Sequence, residues 1–202
     1  GVVAKKNWLK ERIIEGHVFR KLDEKGKVFI EYAPLETAWV PIYGNNYLYI
    51  YCLWVSGSLK GKGYAKSLIE YCINAKEKGK SGVCILSSKK KRPYLMDKKF
   101  LLKYGFKTVD VIKDEYELLA LSFNGEKPYF SEKVKEMKID NKELTIYYTL
   151  QCPYVLNCIK EVTEYCSRNN ILLSLKIVDT LEKAKNLPCI FNNWAVFYNG
   201  KY

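Results

Sequence analysis

The stretch Tyr47-Leu48-Tyr49-Ile50-Tyr51-Cys52-Leu53-Trp54-Val55 runs directly into Ser56-Gly57-Ser58-Leu59-Lys60-Gly61-Lys62-Gly63-Tyr64-Ala65. The first part carries no charge and is apolar or aromatic throughout. That pattern predicts a strand covered on both faces, as at the centre of an α/β sheet. Beyond the glycines, Ala65, Leu68, Ile69, Cys72 and Ile73 recur at i, i+3, i+4, i+7 and i+8, the stripe of an amphipathic helix. Lys78-Gly79 ends it, with basic residues in its last turn. Gly82 to Leu86 reads as another short buried strand, which completes a βαβ unit.

The glycine loop has a chemistry of its own. Gly61 and Gly63 remove side chains where backbone amides would approach a ligand. The helix then begins with unpaired N–H groups and a positive dipole end facing the same place. Together these make an anion site suited to a pyrophosphate, with Lys60 and Lys62 adding charge at its rim. It is neither a Walker A loop nor a dinucleotide fingerprint, since Lys66 stands where the third glycine of the latter belongs.

Working outward, Trp8, Leu9, Arg12 and Ile13 lie at helical spacing within Ala4 to Glu15, before Gly16. Val18 to Leu22 and Val28 to Tyr32 read as an antiparallel pair turning at Glu24-Lys25-Gly26-Lys27, and a third strand covers Ala38 to Ile42. A helix is expected from Tyr94 to Lys103, then strands near Thr108 to Ile112 and Tyr116 to Ser122. Asn124-Gly125-Glu126-Lys127-Pro128 breaks the pattern, so domains of 1–125 and 126–202 are expected. The second holds a strand at Leu144 to Leu150, a helix opened by Cys152-Pro153, a strand at Leu172 to Val178 and a short helix at Leu181 to Lys185. After Pro188 a hairpin follows, Ala195 to Tyr198 turning at Asn199-Gly200.

Composition narrows the function classes. The 48% hydrophobic content supports packed cores, and no apolar run is long enough to span a bilayer. No secretory leader is visible at the start of the chain, and the seven scattered cysteines suit reduced thiols in a cytoplasmic protein. One histidine (His17) and no CxxC pair leave no basis for a structural metal site. Residues 1–125 hold 23 basic and 13 acidic side chains, a net of +10, on the side of the glycine loop. With no basic recognition helix, that excess is assigned to a polyanionic small molecule and solvated loops such as Lys89-Lys90-Lys91-Arg92, and not to nucleic acid or a membrane.

Lys60-Gly61-Lys62-Gly63-Tyr64-Ala65, placed after a hydrophobic strand, resembles the pyrophosphate signature of the GNAT superfamily of N-acetyltransferases. Phe100-Leu101-Leu102-Lys103-Tyr104-Gly105-Phe106 is similar to a second segment of that family, and the likeness covers about residues 1–122. It implies a mixed α/β sheet with flanking helices and acetyl-CoA as acetyl donor. It further implies that Lys60, Gly61, Lys62, Gly63, Tyr64 and Ala65 hold the pyrophosphate, and that the strand at Leu53, Trp54 and Val55 pairs with the pantetheine arm. Lys60 replaces the family's Gln or Arg, keeping charge without the forked geometry. The family's thiolate-protonating tyrosine falls at Leu101, which leaves Tyr104 as the nearby hydroxyl. Glu31, Glu36 and His17 are the candidate bases, with Glu36 in the loop assigned to the acceptor.

The order strand, Cys-Pro-helix, strand, helix, Pro, hairpin resembles a small thioredoxin-like α/β domain, with Leu187-Pro188 at the place of that fold's cis-proline. Gln151-Cys152-Pro153-Tyr154-Val155 is similar to a glutaredoxin turn that has lost its second cysteine. Cys152 is then the candidate redox thiol and Cys189 its candidate partner. The two-domain order with Phe197-Tyr198-Asn199-Gly200-Lys201 resembles the YoaP-type acetyltransferases. Both resemblances imply family elements beyond each end of this chain. The reading is direct transfer of an acetyl group to a small-molecule amine. A non-catalytic acyl-CoA sensor and a thiol oxidoreductase acting through Cys152 are the alternatives.

Overall fold

The computed structural model describes residues 1–23, 25–74 and 78–202. Glu24 of the first expected turn, and residues 75–77 at the expected helix end, lie outside them. The chain divides into two compact units. One comprises Glu15–Ala38 and Ile42–Phe130; the other comprises Gly1–Ile14, Trp39–Pro41 and Ser131–Tyr202. The division departs from an expected boundary at 125/126, because the first helix, α1 (Val2–Ile14), groups with the carboxy-terminal residues. Its Trp8 meets Trp39 edge-on, with centroids 5.6 Å apart, which ties it to that unit's core.

The larger unit is built on strands β1 (Val18–Lys21), β2 (Val28–Pro34), β3 (Ile42–Tyr43), β4 (Tyr47–Val55), β5 (Gly82–Ser88), β6 (Lys107–Ile112), β7 (Tyr116–Ser122) and β8 (Tyr129–Phe130). Six of them form one sheet in the order β1-β2-β4-β5-β7-β6, and β3 pairs with β8 in a separate ribbon. Only β4 and β5 are parallel; the other described pairs of this sheet are antiparallel. The crossover between them carries α2 (Tyr64–Ile73), as the βαβ reading requires. Leu68, Ile69 and Cys72 of α2 pack onto Val28, Ile30, Leu48, Ile50, Val83, Ile85 and Leu119, so one sheet face holds the core.

Three local expectations change. The strand expected at Ala38 to Ile42 is reduced to β3; Pro41 supplies no donor to a ladder there. The helix expected from Tyr94 is α3 (Lys98–Leu102), because Asp97 caps it by accepting from the Lys99 N–H at 2.9 Å. Helix α2 ends at Ile73 and has no basic residue in its last turn.

The smaller unit holds β9 (Leu144–Tyr148), α4 (Val155–Arg168), β10 (Leu173–Ile177), α5 (Leu181–Lys185) and β11 (Trp194–Phe197). Its sheet order is β10-β9-β11, with β10 parallel and β11 antiparallel to the central β9. Asn199 (φ 49°) and Gly200 (φ 74°) form the expected left-handed turn, closed by paired Tyr198 and Lys201 backbones. The return limb makes isolated bridges at Lys201, to Tyr198 and to Lys138, and is not a strand. The peptide before Pro188 is trans, unlike that of the fold it resembles. Among the described residues no helix is long and apolar enough to cross a membrane, and no cluster of His, Cys, Asp and Glu could hold a metal ion.

Candidate active site

The site begins where two parallel strands part. Tyr47 to Ile50 of β4 pair with Gly82 to Ile85 of β5, and the register stops there. Beyond Ile50, β4 keeps β2 as its partner as far as Val55↔Val28, while β5 stays with β7 as far as Ser88↔Tyr116. A wedge therefore opens between Tyr51–Val55 and Leu86–Ser88. At its apex the Leu86 backbone hydrogen-bonds the Tyr49 hydroxyl.

A bulge in β4 coincides with the apex. Glu31 pairs with Cys52 and Tyr32 with Ile50, so Tyr51 is the extra residue. The bulge resets the alternation of the strand. Leu48 and Ile50 face the helices before it, and Leu53 and Val55 face the same core after it. The edge of β4 from Tyr51 to Val55 runs four residue steps, roughly 13 Å at about 3.3 Å per step. An extended polar arm can add to such an edge by main-chain hydrogen bonds.

The glycine loop closes the wide end. Ser56 is tied to Lys27 by two hydrogen bonds, one from its backbone N–H (2.9 Å) and one into its side chain (3.2 Å). A 3₁₀ turn over Gly57–Leu59 leads into Lys60, and Gly63 (φ +83°) caps α2 in the left-handed conformation. Gly61 (φ +79°) is left-handed too, and neither glycine has any atom within 4 Å of where a Cβ would stand. The loop thus presents unobstructed backbone at the N-terminal end of a ten-residue helix. Lys60 and Lys62 are exposed beside it, and Tyr64 and Ala65 are half-buried at the helix start.

The other expected site residues separate into those near the wedge and those remote from it. Leu53, Val55, Tyr64, Phe100 and Tyr104 are partly buried and border the same core cluster. Tyr104 follows α3 and lies 5.0 Å from the Phe100 ring. Leu101 is fully buried within the core. The backbone of Trp54 lies on the free edge, but its side chain pairs in register with Phe29, on the face away from α2. Glu36 is no part of this grouping. Its carboxylate accepts the Asn46 N–H at 2.6 Å, just before Tyr47 and so beyond the closed end of β4. That contact holds a loop and places the carboxylate several residues from the apex.

A pairing that sequence reading left out lies on the far face of the sheet. His17 Nε2 is 2.9 Å from Glu31 Oε1, and both side chains are almost wholly buried. The His17 ring stacks on Tyr51, the bulge residue, at 5.2 Å. Glu31 within the apolar strand Val28–Tyr32 was the available signal, since a buried carboxylate requires a partner.

In the smaller unit, Cys152 is half-buried just before α4, and Cys189 is fully buried in that unit's core. Burial drives the Cys189 thiol far above its ordinary range, so it stays protonated. Cys158, on α4, is exposed.

Comparison with known proteins bears on the family of the chain. The acetyltransferase (GNAT) family profile matches residues 4–93, and a YoaP-like profile matches residues 173–202. A Bacillus subtilis (strain 168) protein described as an uncharacterised N-acetyltransferase, YoaP, is 42% identical over the whole of this chain, which spans 81% of that relative. Among solved structures, a GNAT-family protein from Desulfovibrio desulfuricans is 16% identical, with a TM-score of 0.45 over 58% of this chain and 77% of its own. The Escherichia coli GNAT N-acetyltransferase YhbS, solved with CoA, is 14% identical, with a TM-score of 0.40 over 64% and 76%. Full-length identity of 42% together with the family profile over the glycine loop decides the matter: the chain belongs to the GNAT family of N-acetyltransferases.

Proposed function

We propose that this protein transfers an acetyl group from acetyl-CoA to a small-molecule amine directly, within one ternary complex. The observation that carries the reading is the wedge between β4 and β5, with an open, left-handed glycine loop at its mouth. Lys60, Gly61, Lys62, Gly63, Tyr64 and Ala65 hold the pyrophosphate through backbone amides and the α2 dipole. The edge of β4 at Leu53, Trp54 and Val55 takes the pantetheine arm. When bound, acetyl-CoA supplies an activated acyl group. The protein's share is to align it, exclude water and take up a proton. Tyr104 is the hydroxyl assigned to the departing sulfur, because Leu101 has no proton to give and faces the core.

Isothermal titration of the whole chain with acetyl-CoA tests the reading. Gly63→Glu puts a carboxylate into the anion cradle and is expected to weaken binding at least tenfold. Lys62→Ala keeps the backbone intact and is expected to weaken it a fewfold through lost charge. Equal binding by all three proteins sinks the loop assignment.

The smaller unit favours a second, non-redox reading. Its strand order and the position of Cys152 before α4 support a thioredoxin-like module, here assigned to substrate binding or docking. The burial that keeps Cys189 protonated argues against a Cys152–Cys189 redox pair. Cytoplasmic residence follows on this reading from a cellular thioester donor and thiols that stay reduced.

A further inference from the structure

The face of the large sheet turned away from α2 carries a strip of rings that ends in an ionisable pair. Phe19 of β1 and Phe29 of β2 stack with centroids 5.0 Å apart and planes 26° apart. Phe29 stands opposite Trp54 of β4 in register, and Trp54 is 46% exposed. Two residues along β2 from Phe29, on the same face, lies Glu31 with its bond to His17. His17 in turn lies against Tyr51 at the bulge, where β4 and β5 part. An aromatic floor open at one end thus leads to a base and a carboxylate at the apex of the wedge.

We propose that this face is the acceptor site, that its substrate is a primary monoamine bearing an aromatic ring, and that His17 receives the ammonium proton while Glu31 positions it. The proposal rests on the acetyl-transfer reading, which brings the reacting acyl group along β4 to the same apex. The ring of the substrate lies on Phe19, Phe29 and Trp54 by offset or edge contact. Its ammonium is drawn by the ring faces and by the Glu31 carboxylate. A polycation is disfavoured, because the strand ends beside the strip carry exposed Lys21 and Lys27. In the tautomer that donates Nε2–H to Glu31, the lone pair of His17 is on Nδ1. One N–H bond of the ammonium breaks, its proton passes to Nδ1, and the nitrogen keeps the electron pair it needs as a nucleophile. The imidazolium formed is held beside the Glu31 carboxylate. His17 is the catalytic residue in this scheme and Glu31 a positioning residue.

The test uses the whole chain with 2-phenylethylamine and propylamine as probes, in two arms. In the first, calorimetry measures amine binding without acetyl-CoA. 2-Phenylethylamine is expected to bind about tenfold more tightly than propylamine, a discrimination within reach of an apolar pocket, and Phe29→Leu to narrow the gap. In the second, thioester consumption is followed. His17→Ala is expected to lower kcat about a hundredfold, the scale of a lost general base, and added imidazole to restore part of it. Glu31→Gln is expected to lower kcat while leaving acetyl-CoA affinity unchanged. Equal binding of the two amines, a preference untouched by Phe29→Leu, or a His17→Ala loss that imidazole does not relieve would overturn the proposal. Failure to bind acetyl-CoA condemns the transfer reading instead, and the first arm still judges the amine site.

Discussion

The two halves of β4 are chemically alike and structurally opposite. Tyr47 to Ile50 are paired on both edges and buried on both faces, whereas beyond the bulge at Tyr51 the residues Cys52 to Val55 are paired with β2 alone among the described strands and are half-buried or exposed. Both halves are aromatic and aliphatic, so hydrophobicity does not separate them. What separates them is a single extra residue, Tyr51, at which one strand stops matching its parallel neighbour. The closed half is framework, and the open half is the strand edge that the proposed function assigns to the pantetheine arm. On the proposed function, the reacting groups meet at the end of a continuous β4–β2 ladder, which is a rigid support.

The contrast can be broken most severely in the closed half. Ile50→Ala removes a fully buried side chain and should cost about 2–5 kcal/mol in urea unfolding. Leu53→Ala, at a half-buried position of the open half, should cost about 1 kcal/mol and weaken acetyl-CoA binding instead. Equal losses from the two changes would erase the distinction. Next in size is a pair of glycines. A Cβ on Gly82 would stand 2.5 Å from the Leu121 carbonyl oxygen and closer still to the Tyr47 ring, so Gly82→Ala should cost about 1–3 kcal/mol through overpacking. Gly61→Ala meets no atom and should cost about 1 kcal/mol through its left-handed backbone, with the larger effect on ligand affinity.

Thiol reactivity sharpens the same contrast between core and surface. Burial pushes the Cys72 thiol up to about 12, so at neutral pH it should resist alkylation that modifies Cys158 readily. Rapid labelling of Cys72 in the folded protein would contradict the packing of α2 onto the sheet. The sign for stability follows. Above about pH 9 the unfolded thiol ionises and the folded one does not, so this contribution is full below that pH and is lost as pH rises to about 12. The smallest effect belongs to Glu36→Gln. It should leave turnover within about twofold of the parent and cost under about 1 kcal/mol, since a neutral amide oxygen still accepts from Asn46.

Elements set by local chemistry were legible from sequence. The apolar strand Tyr47–Val55, the stripe along α2 and the strands near Thr108 and Tyr116 stand where their patterns put them. Gly61 and Gly63 adopt the left-handed backbone that only their lack of a Cβ makes easy. Features set by register were not legible. A strand apolar at every position carries no period-two signal, so the bulge at Tyr51 leaves no trace in composition. The helix Val2–Ile14 has an apolar stripe that any core could accept, and its grouping with Trp39 and residues 131–202 is a tertiary choice. Glu36 and Glu31 look equivalent as isolated acidic residues. Only the fold shows that one staples a loop and the other meets the single histidine of the chain.

The bulge at Tyr51 also constrains how this strand can be recombined. Upstream of it, even-numbered residues face α2; downstream, odd-numbered ones do. The strand therefore reads in two opposite parities joined at one residue. Drawing Tyr51 into a regular ladder would carry Cys52 and Trp54 into the helix-side core and turn Leu53 and Val55 out of it, whereas deleting Tyr51 would remove the bulge and leave both facings as they are. A chimera that exchanges the distal half of β4 must carry the joint as well as the segment, even when every exchanged residue is conservative.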